Sequence, residues 1–418
     1  MKLISLIAPA AGALMLFTAS CKKEVSIPVS ERANDKANVS LSIVSAPSTK
    51  AGETESKLNS LEVFIFDNGA TSTSKGFLEA YKKAAAADFL SASSASMNFN
   101  ASTGSKHIYV LANAIASIGE TVTTESQLKE KISEFSDNSA DNFIMVGGTE
   151  VTLTSEHNNE ISLSCRRIVS KISFGHIQGA FESPAMRSLN FTVNRVYLMN
   201  VPKRAKFING DAPDVFGTIG TTAFTEGSSY PSIFQPAIKE GTTLFPYYKF
   251  ADPSASGTAA DGYYNWFDAS AFSTSGTVTL DTTAGAMTTE NITSGVVYPG
   301  TGTDHKVTLN KNFYTYPNPA IHSSADNVAD NTTKVIVETT LHINGADKKY
   351  YYPISIPYTQ PNYFYNIESL TIKRLGSDNP SLPVSKAVCE FTITVRDWDT
   401  GNIVGQFNNQ TSEGVFEF

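Results

Sequence analysis

The sequence predicts a mainly β protein made of antiparallel β-sandwiches with a few short helices. The first observation is alternation, because residues 388–397 place Phe391, Ile393 and Val395 on one face and mostly polar residues on the other. Antiparallel strands with one buried and one solvated face have this period of two. The second observation is that further segments of the second half alternate in whole or in part, namely 166–176, 189–201, 334–343, 349–357 and 363–374. The third is that only two segments carry helical signals.

The chain is long enough for two domains. It has 418 residues, of which 41% are hydrophobic and 11% aromatic, so it can bury a large core. We place the domain boundary near residue 165, where a Ser-rich stretch gives way to a strand that begins at Arg166. Residues 205–305 are rich in Gly, Ser, Thr, Ala and aromatics, and they predict long loops and short strands within the second domain.

The first half opens with a half-buried strand at residues 38–44. Val39, Leu41 and Ile43 share one face of this strand, and serines occupy the other. Residues 46–60 are mostly small and polar, so they predict an exposed loop after it.

A second strand and two helices follow in the prediction. Residues 61–67 (Leu-Glu-Val-Phe-Ile-Phe-Asp) form an apolar strand. Residues 77–90 are rich in Ala and Lys and predict a helix. Residues 124–135 predict another, because Thr124 and Gln127 have the spacing of a capping box.

The N-terminus has the layout of a secretory signal. Lys2 precedes an apolar run at residues 3–17, and Thr-Ala-Ser-Cys ends the run at Cys21. A cysteine directly after small residues resembles a bacterial lipobox, in which Cys21 would be diacylated and become the new N-terminus. The acyl chains would then hold the protein to a membrane. The alternative is an ordinary signal in which Cys21 is incidental.

The sequence shows no catalytic, metal-binding or cofactor-binding constellation. Six histidines are scattered along the chain, and none pairs with another at metal-ligand spacing. Asp397 and Asp399 flank Trp398, but we interpret them as a solvated strand end rather than a catalytic or calcium-binding pair. The net charge of -8 argues against a nucleic-acid partner. We therefore expect a binding or structural protein rather than an enzyme.

Two cysteines remain after Cys21. Cys165 and Cys389 both lie in strand-like segments, where cysteine behaves as a small hydrophobic residue. They could pair in an oxidising envelope, but we favour two buried free thiols.

Four segments, in this order and spacing, resemble the Bacteroidales fimbrillins, the type V pilins. They are the lipobox ending at Cys21; strand 38–44 with the Lys-bearing loop and strand 61–67 after it; Arg166-Arg167-Ile168-Val169-Ser170-Lys171-Ile172, with Ser170 in place of the family's usual alanine; and the C-terminal run that includes Tyr352-Pro353-Ile354, Asn362-Tyr363, Tyr365-Asn366-Ile367, residues 376–380 and residues 392–398.

The resemblance implies a fold and an assembly mechanism. The fold is two transthyretin-like β-sandwich domains in tandem, and the precursor travels to the outer membrane as a lipoprotein. A trypsin-like protease then cuts the loop after the first strand, and the C-terminal segment of a neighbouring subunit fills the groove that this strand leaves. We accordingly expect a signal peptide at 1–20, a propeptide at 21–50, domains at 51–165 and 166–400, and a donor tail at 401–418.

The Lys50-Ala51 bond matches the family's cleavage position. Well-studied members have Arg there, so Lys50 suggests a protease that accepts lysine. Arg32 is a competing site, but a cut at Arg32 precedes strand 38–44 and would not free the groove. Apart from the resemblance, Lys50 would be interpreted as a solvated loop residue. Burying each of the three apolar residues of strand 38–44 is worth roughly 1.5–3 kcal/mol, so the strand would hold the groove closed until it is cut.

The donor segment is expected at the C-terminus. Two apolar segments lie there, separated by a polar stretch, and their apolar residues are Ile403, Val404, Phe407, Val415, Phe416 and Phe418. Residues 402–407 could instead be the last strand of the second domain, which would leave 415–418 free to pair with another molecule.

The leading functional hypothesis is a stalk subunit of a cell-surface fimbria that supports adhesion and biofilm formation. Its partners would be other copies of itself, other fimbrial subunits, the outer membrane through the lipid, and host or bacterial surface receptors. A tip or anchor subunit is an alternative. A monomeric lipoprotein that binds glycans through Tyr263, Tyr264 and Trp266 is another. For an envelope enzyme we find no site.

Overall fold

The computed structural model describes two long parts of the chain and a set of short strands between them. The described residues are 36–45, 53–208, 306–318 and 332–408, apart from gaps at 135–136, 140, 156, 182, 184–190, 203, 344–345, 357, 381, 383 and 386, together with seven strands between residues 238 and 297. The chain divides into two compact units, residues 1–34 and residues 35–418, and all described residues belong to the second unit.

The strands of the first half form one eight-stranded sheet with the order β3-β2-β6-β8-β9-β1-β5-β4. Its members, with the short β7 that lies outside it, are β1 (Lys36–Ser45), β2 (Leu61–Asp67), β3 (Leu78–Lys83), β4 (Phe89–Ser91), β5 (Ser94–Ser102), β6 (Gly104–Ala112), β7 (Ile132–Glu134), β8 (Met145–Leu153) and β9 (Asn159–Arg167). The helices of this half are α1 (Glu125–Lys129) and the 3-10 turns Glu53–Ser56, Ala86–Asp88 and Gly119–Thr121.

The eight-stranded sheet closes over its own core. Buried side chains from β1 and β5, such as Leu41 and Met97, belong to the same apolar cluster as Val63 of β2 and Val110 of β6. The two ends of the sheet therefore face each other as the layers of a sandwich. They are joined where β8 meets β9, which pair only at Met145 and Val146.

The strands of the second half form two main sheets. The strands are β10 (Ser170–Gly179), β11 (Phe191–Met199), β12 (Arg204–Lys206), β13 (Ile238–Glu240), β14 (Thr243–Phe245), β15 (Trp266–Asp268), β16 (Ser273–Ser275), β17 (Thr277–Asp281), β18 (Met287–Asn291), β19 (Val296–Val297), β20 (Lys306–Thr315), β21 (Thr333–Ile343), β22 (Ala346–Ile356), β23 (Tyr363–Ile372), β24 (Cys389–Asp397) and β25 (Ile403–Asn408). One sheet has the order β16-β20-β10-β23-β24-β25, and the other runs β15-β11-β21-β22 with β19 also on β11. Ile172, Ile367 and Ile393 of the first sheet share a core with Val335 and Ile354 of the second.

The two halves are tied together through β7 and a buried tyrosine. β7 pairs with β12, which belongs to the second half of the chain. The Tyr316 hydroxyl lies 2.5 Å from the Ser133 hydroxyl and accepts a hydrogen bond from Asn138 Nδ2 at 2.9 Å.

The mainly β class predicted from the sequence is confirmed, since strands dominate both halves. The tandem transthyretin-like arrangement and the expected domain boundaries stay predictions. Among the helices that the structure describes, none is long and apolar enough to span a membrane.

The helix predicted at 77–90 is wrong. This segment forms β3, the turn Ala86–Asp88 and β4 instead. Helix propensity is a weak prior, and here the pairing of β3 with β2 overrides it. Tyr81 lies opposite Phe64 in that pair, with ring centroids 5.3 Å apart.

The helix predicted at 124–135 is shorter than expected. Its capping box is confirmed, because Gln127 N donates to Thr124 Oγ1 at 3.2 Å and Thr124 N donates to Gln127 Oε1 at 3.3 Å. α1 nevertheless ends at Lys129, and the residues after it form β7. The strand predicted at 166–176 is divided between β9 and β10.

Candidate functional site

The first strand, β1, lies inside the sheet rather than at its edge. It pairs antiparallel with β5 from Lys36 to Val44 and parallel with β9 from Val39 to Ser45. A strand with a neighbour on each side has its backbone groups bonded in both directions. If β1 left, it would open a slot between β5 and β9, and we call this slot the β1 groove.

The side chains of β1 alternate between the core and solvent, as the sequence predicts. Val39 is 1% exposed, and Leu41 and Ile43 are 0% exposed. Ser42 and Val44, between and beyond them, are exposed. The three buried residues together are worth about 5–9 kcal/mol of apolar burial. That is comparable with the whole net stability of a typical domain.

Apolar side chains of β5 and β9 lie beside the three buried residues of β1. Val39 lies opposite Phe99 of β5, Leu41 lies between Met97 and Ile161, and Ile43 lies between Ala95 and Leu163. These neighbours are apolar, so the groove is suited to an extended segment with alternating apolar side chains.

A cluster of buried charged side chains lies beside the end of the groove; we call it the Arg167 cluster, and its members are Glu55, Arg167, Lys171 and Asp399. Arg167 is the last residue of β9, and its Nε donates to the Glu55 carbonyl oxygen at 2.9 Å. Its Nη1 donates to Asp399 Oδ1 at 2.9 Å, and its guanidinium carbon lies 4.5 Å from the centroid of the Trp398 ring.

Glu55 joins this cluster through its carboxylate. Lys171 Nζ donates to Glu55 Oε1 at 2.9 Å and to Oε2 at 3.0 Å. The Tyr314 hydroxyl donates to Oε1 at 2.6 Å. Glu55 belongs to the turn Glu53–Ser56, so the chain a few residues after the Lys50-Ala51 bond is bound to residues of β10 and β20.

Burial dominates the electrostatics of the Arg167 cluster. It lowers the pKa of Arg167 and of Lys171, and it raises the pKa of Asp399 above the ordinary carboxyl value. The opposite charges within the cluster act against these shifts and favour the ionised forms. Breaking one member of such a buried set leaves a charge without its partner, which is costly.

Two aspartates near the C-terminus are not the solvated strand end that we expected. Asp399 is 8% exposed and contacts Arg167, and Asp397 Oδ2 accepts from Arg166 Nη2 at 2.6 Å. The expectation was wrong because both aspartates pair with arginines. These partners are more than two hundred residues away in sequence, so the local pattern does not reveal them. Glu55 was also missed, since a single glutamate in a polar loop carries no pattern that marks it as buried.

Several predicted site residues lie outside the described residues: Cys21, Arg32, Lys50, Ala51, Tyr263, Tyr264, Val415, Phe416 and Phe418. Trp266 lies in β15, which pairs with β11.

The first candidate donor segment forms β25, the edge strand next to β24. Ile403 is 62% exposed, Val404 is partly buried, and Phe407 is 5% exposed. Residues 403–408 therefore pair within their own sheet, which is the alternative that the sequence left open, and a donor role stays a prediction.

The two thiols are free and buried, as we favoured. Cys165 lies in β9 at the end of the β1 groove, opposite Ser45, and Cys389 opens β24. Burial raises the pKa of each thiol to about 12. Within the parts of the chain that the structure describes, no group of His, Cys, Asp and Glu side chains could hold a metal ion.

Comparison with known proteins agrees with this architecture. Residues 37–170, from β1 to the start of β10, match the family model of the major fimbrial subunit protein (FimA). No curated protein matches the chain in sequence.

Solved structures extend the likeness to most of the chain. A candidate cell adhesion protein from Bacteroides eggerthii has a TM-score of 0.53 at 16% identity, covering 87% of this chain and 97% of its own. A second one, from Parabacteroides distasonis, has a TM-score of 0.52 at 17% identity, covering 87% and 100%. A fimbrilin (FimA) from Porphyromonas gingivalis has a TM-score of 0.50 at 15% identity, covering 87% and 98%.

The protein thus has the fold of cell-adhesion and fimbrial subunits. Its resemblance to the Bacteroidales fimbrillins is confirmed, by sequence over residues 37–170 and by fold over most of the chain.

Proposed function

We propose that this chain is a stalk subunit of a cell-surface fimbria, assembled by proteolytic removal of its first strand and uptake of a strand from a neighbouring copy. The observation that carries the proposal is the position of β1, which is buried on alternate residues between β5 and β9. Because β1 is the first described strand and is followed by the predicted cleavage site, one cut makes it a separate peptide without breaking the rest of the sheet.

The cut acts as a switch for assembly. While β1 stays in place, the apolar side chains of the groove are covered and both neighbouring strands are paired. Once β1 leaves, two rows of backbone groups and an apolar slot are exposed, and such an edge is a template for another strand. Residues 415–418 of a neighbouring copy supply that strand, with Phe416 and Phe418 on the face that enters the groove.

The route to the surface follows from the N-terminus. The precursor is acylated at Cys21, travels to the outer membrane as a lipoprotein, and loses the lipid when residues up to Lys50 are removed. The stalk role follows from a subunit that both accepts and donates a strand. The resulting fimbria supports adhesion and biofilm formation.

The test is controlled trypsin treatment of the purified precursor, followed by gel analysis for ladders of linked subunits. Lys50→Gln should slow the appearance of ladders strongly, because the bond after residue 50 is no longer cut and the carbonyl of Lys57, the next lysine after it, is bound by Asn113. Lys57→Gln is the matched control, since Lys57 is an exposed lysine on the other side of the turn Glu53–Ser56. Ladders from Lys50→Gln at the wild-type rate would contradict the proposal, and so would cleaved wild-type protein that stays monomeric.

A further inference from the structure

The two walls of the β1 groove, β5 and β9, form most of their backbone pairing with β1. Residues 159–165 of β9 pair with β1, and in the described part of the chain the other backbone pairing of β9 is with β8, at Arg166 and Arg167. β5 pairs with β1 at nine positions and with the short β4 at two. When β1 leaves, neither wall keeps enough backbone pairing to fix its position.

A buried cation held by carboxylates lies at one end of each wall, within β9 itself for one wall and in the neighbouring β6 for the other. On β9 this is Arg167 of the Arg167 cluster, whose side chain is 0% exposed. On β5 the end is held by a second group, the Lys106 cluster, made of Asp67, Glu79, Ser102 and Lys106. Lys106 has a side chain that is 2% exposed, and its Nζ lies 2.7 Å from Glu79 Oε2 and 3.3 Å from Asp67 Oδ1.

The Lys106 cluster holds the last residue of β5 directly. Ser102 N donates to Glu79 Oε1 at 2.5 Å, and Lys106 Nζ donates to Ser102 Oγ at 3.0 Å. Glu79 lies in β3, at the far edge of the sheet order from β5. The contact thus joins β5 to the layer that keeps its own ladder when β1 is gone.

We propose that Arg167 and Lys106, with Asp399 and Glu79 as their partners, are positioning residues that hold β9 and β5 apart as the walls of an open groove after β1 has left. The proposal rests on the proposed function, because it concerns the state between the loss of β1 and the arrival of the neighbour's strand. Asp399 follows β24 in the second half of the chain, so this half would also contribute to strand uptake.

Buried ion pairs are a costly way to stabilise a fold, and apolar side chains often do as well. A cluster with fixed hydrogen-bond directions sets a position more narrowly than an apolar contact does. Arg167 is held by four groups: the Glu55 carbonyl, the Asn362 side-chain oxygen, Asp399 and the Trp398 ring. Such contacts are suited to keeping β9 in place after its pairing with β1 has been lost.

The chain carries its own reporters for a test. Cys165 is a buried thiol on β9, and Met97 is a buried thioether on β5. Cys389 and Met199 are equally buried in the second half and serve as references in the same molecule. Thiol labelling and mild peroxide oxidation, each followed by mass spectrometry, measure how far each wall opens.

The experiment compares the intact precursor with the trypsin-processed protein that begins at Ala51, at concentrations at which no ladders form. In the processed form we expect Asp399→Asn to raise the labelling rate of Cys165 at least tenfold over processed wild type, and Glu79→Gln to do the same for the oxidation of Met97. In the precursor, where β1 holds both walls, each ratio should stay below about threefold, because seven to nine paired positions remain. Glu134→Gln is the control, since its ion pair with Arg204 touches neither wall.

The outcomes separate the two proposals. If the mass spectrum shows that residues 36–45 leave, but both variants react like processed wild type, the positioning role is overturned while the proposed function stands. Equal acceleration in precursor and processed protein also overturns it, because that is the result of a merely structural contact. If the peptide stays bound in every variant, the proposed function fails and this inference fails with it. A milder variant, Asp397→Asn, weakens the outer pair with Arg166 while Arg167 keeps its bond to Asp399, so it should give a smaller effect in the same direction.

Discussion

Truncating Leu41 should loosen the first strand of the precursor and leave the assembled subunit unaffected. Leu41 is 0% exposed and lies between Met97 of β5 and Ile161 of β9. Leu41→Ala removes three buried carbons, which is worth about 2.4 kcal/mol of apolar transfer at ~0.8 kcal/mol per carbon. The cavity left behind brings the total into the range of about 2–5 kcal/mol.

The assay is the labelling rate of the Cys165 thiol in the uncut precursor. Cys165 lies opposite Ser45, so release of β1 uncovers it, and at about 1.4 kcal/mol per tenfold the rate should rise by a factor of roughly 30 or more. Ser42→Ala changes an exposed residue of the same strand and should change the rate by less than about threefold. Cys389 should label at the same rate in all three proteins.

The same substitution should have no effect once the strand has been removed. Subunits in trypsin-induced ladders no longer contain residue 41, so ladders from Leu41→Ala should be as resistant to denaturant as wild-type ladders. A Cys165 labelling rate in the Leu41→Ala precursor within twofold of the wild-type rate would contradict this prediction. So would Leu41→Ala ladders whose stability towards denaturant falls by the ~2–5 kcal/mol expected for the precursor strand.

Glu125, Asn113 and the expected C-terminal tail can each be tested by a single change. Burial opposes the ionisation of Glu125, but hydrogen bonds from Lys129, Tyr109 and His107 outweigh it and lower its pKa from 4.5 to about 2. Its contribution to stability is present above pH 4.5 and is lost as the pH falls towards 2, so denaturant titrations should show the gap between wild type and Glu125→Gln closing over that window. Asn113 has a φ of 64° and is buried, with its Oδ1 accepting from Asn59 N and its Nδ2 donating to the Phe143 carbonyl. Asn113→Ala should cost about 2–4 kcal/mol in equilibrium unfolding, while an unchanged midpoint would contradict this account of the loop. Deletion of residues 415–418 should abolish ladders without changing the unfolding midpoint of the precursor, and ladders that persist would remove the tail as donor.

The local sequence pattern was sufficient to predict the strands that have one buried and one exposed face. β1 shows this most plainly, because Val39, Leu41 and Ile43 follow the period of two and all three are buried. The capping box at Thr124 was also readable, since its two hydrogen bonds join residues three apart.

The features that the sequence could not supply depend on distant partners. The segment at 77–90 has the composition of a helix, and only its pairing with β2 makes it a strand. The Arg167 cluster joins Glu55 to Arg167 across 112 residues and Arg167 to Asp399 across 232. Contacts over such long separations leave no pattern in the local sequence. The burial of these charges can therefore be recognised only from the folded structure.

The most direct test is an intact-mass measurement of subunits taken from trypsin-induced ladders and dissociated in denaturant. We expect chains that begin at Ala51, with no stoichiometric peptide containing residues 36–45. If that peptide is recovered in equal amount with each subunit, the first strand has not left the sheet, and linkage between subunits must come from another part of the molecule.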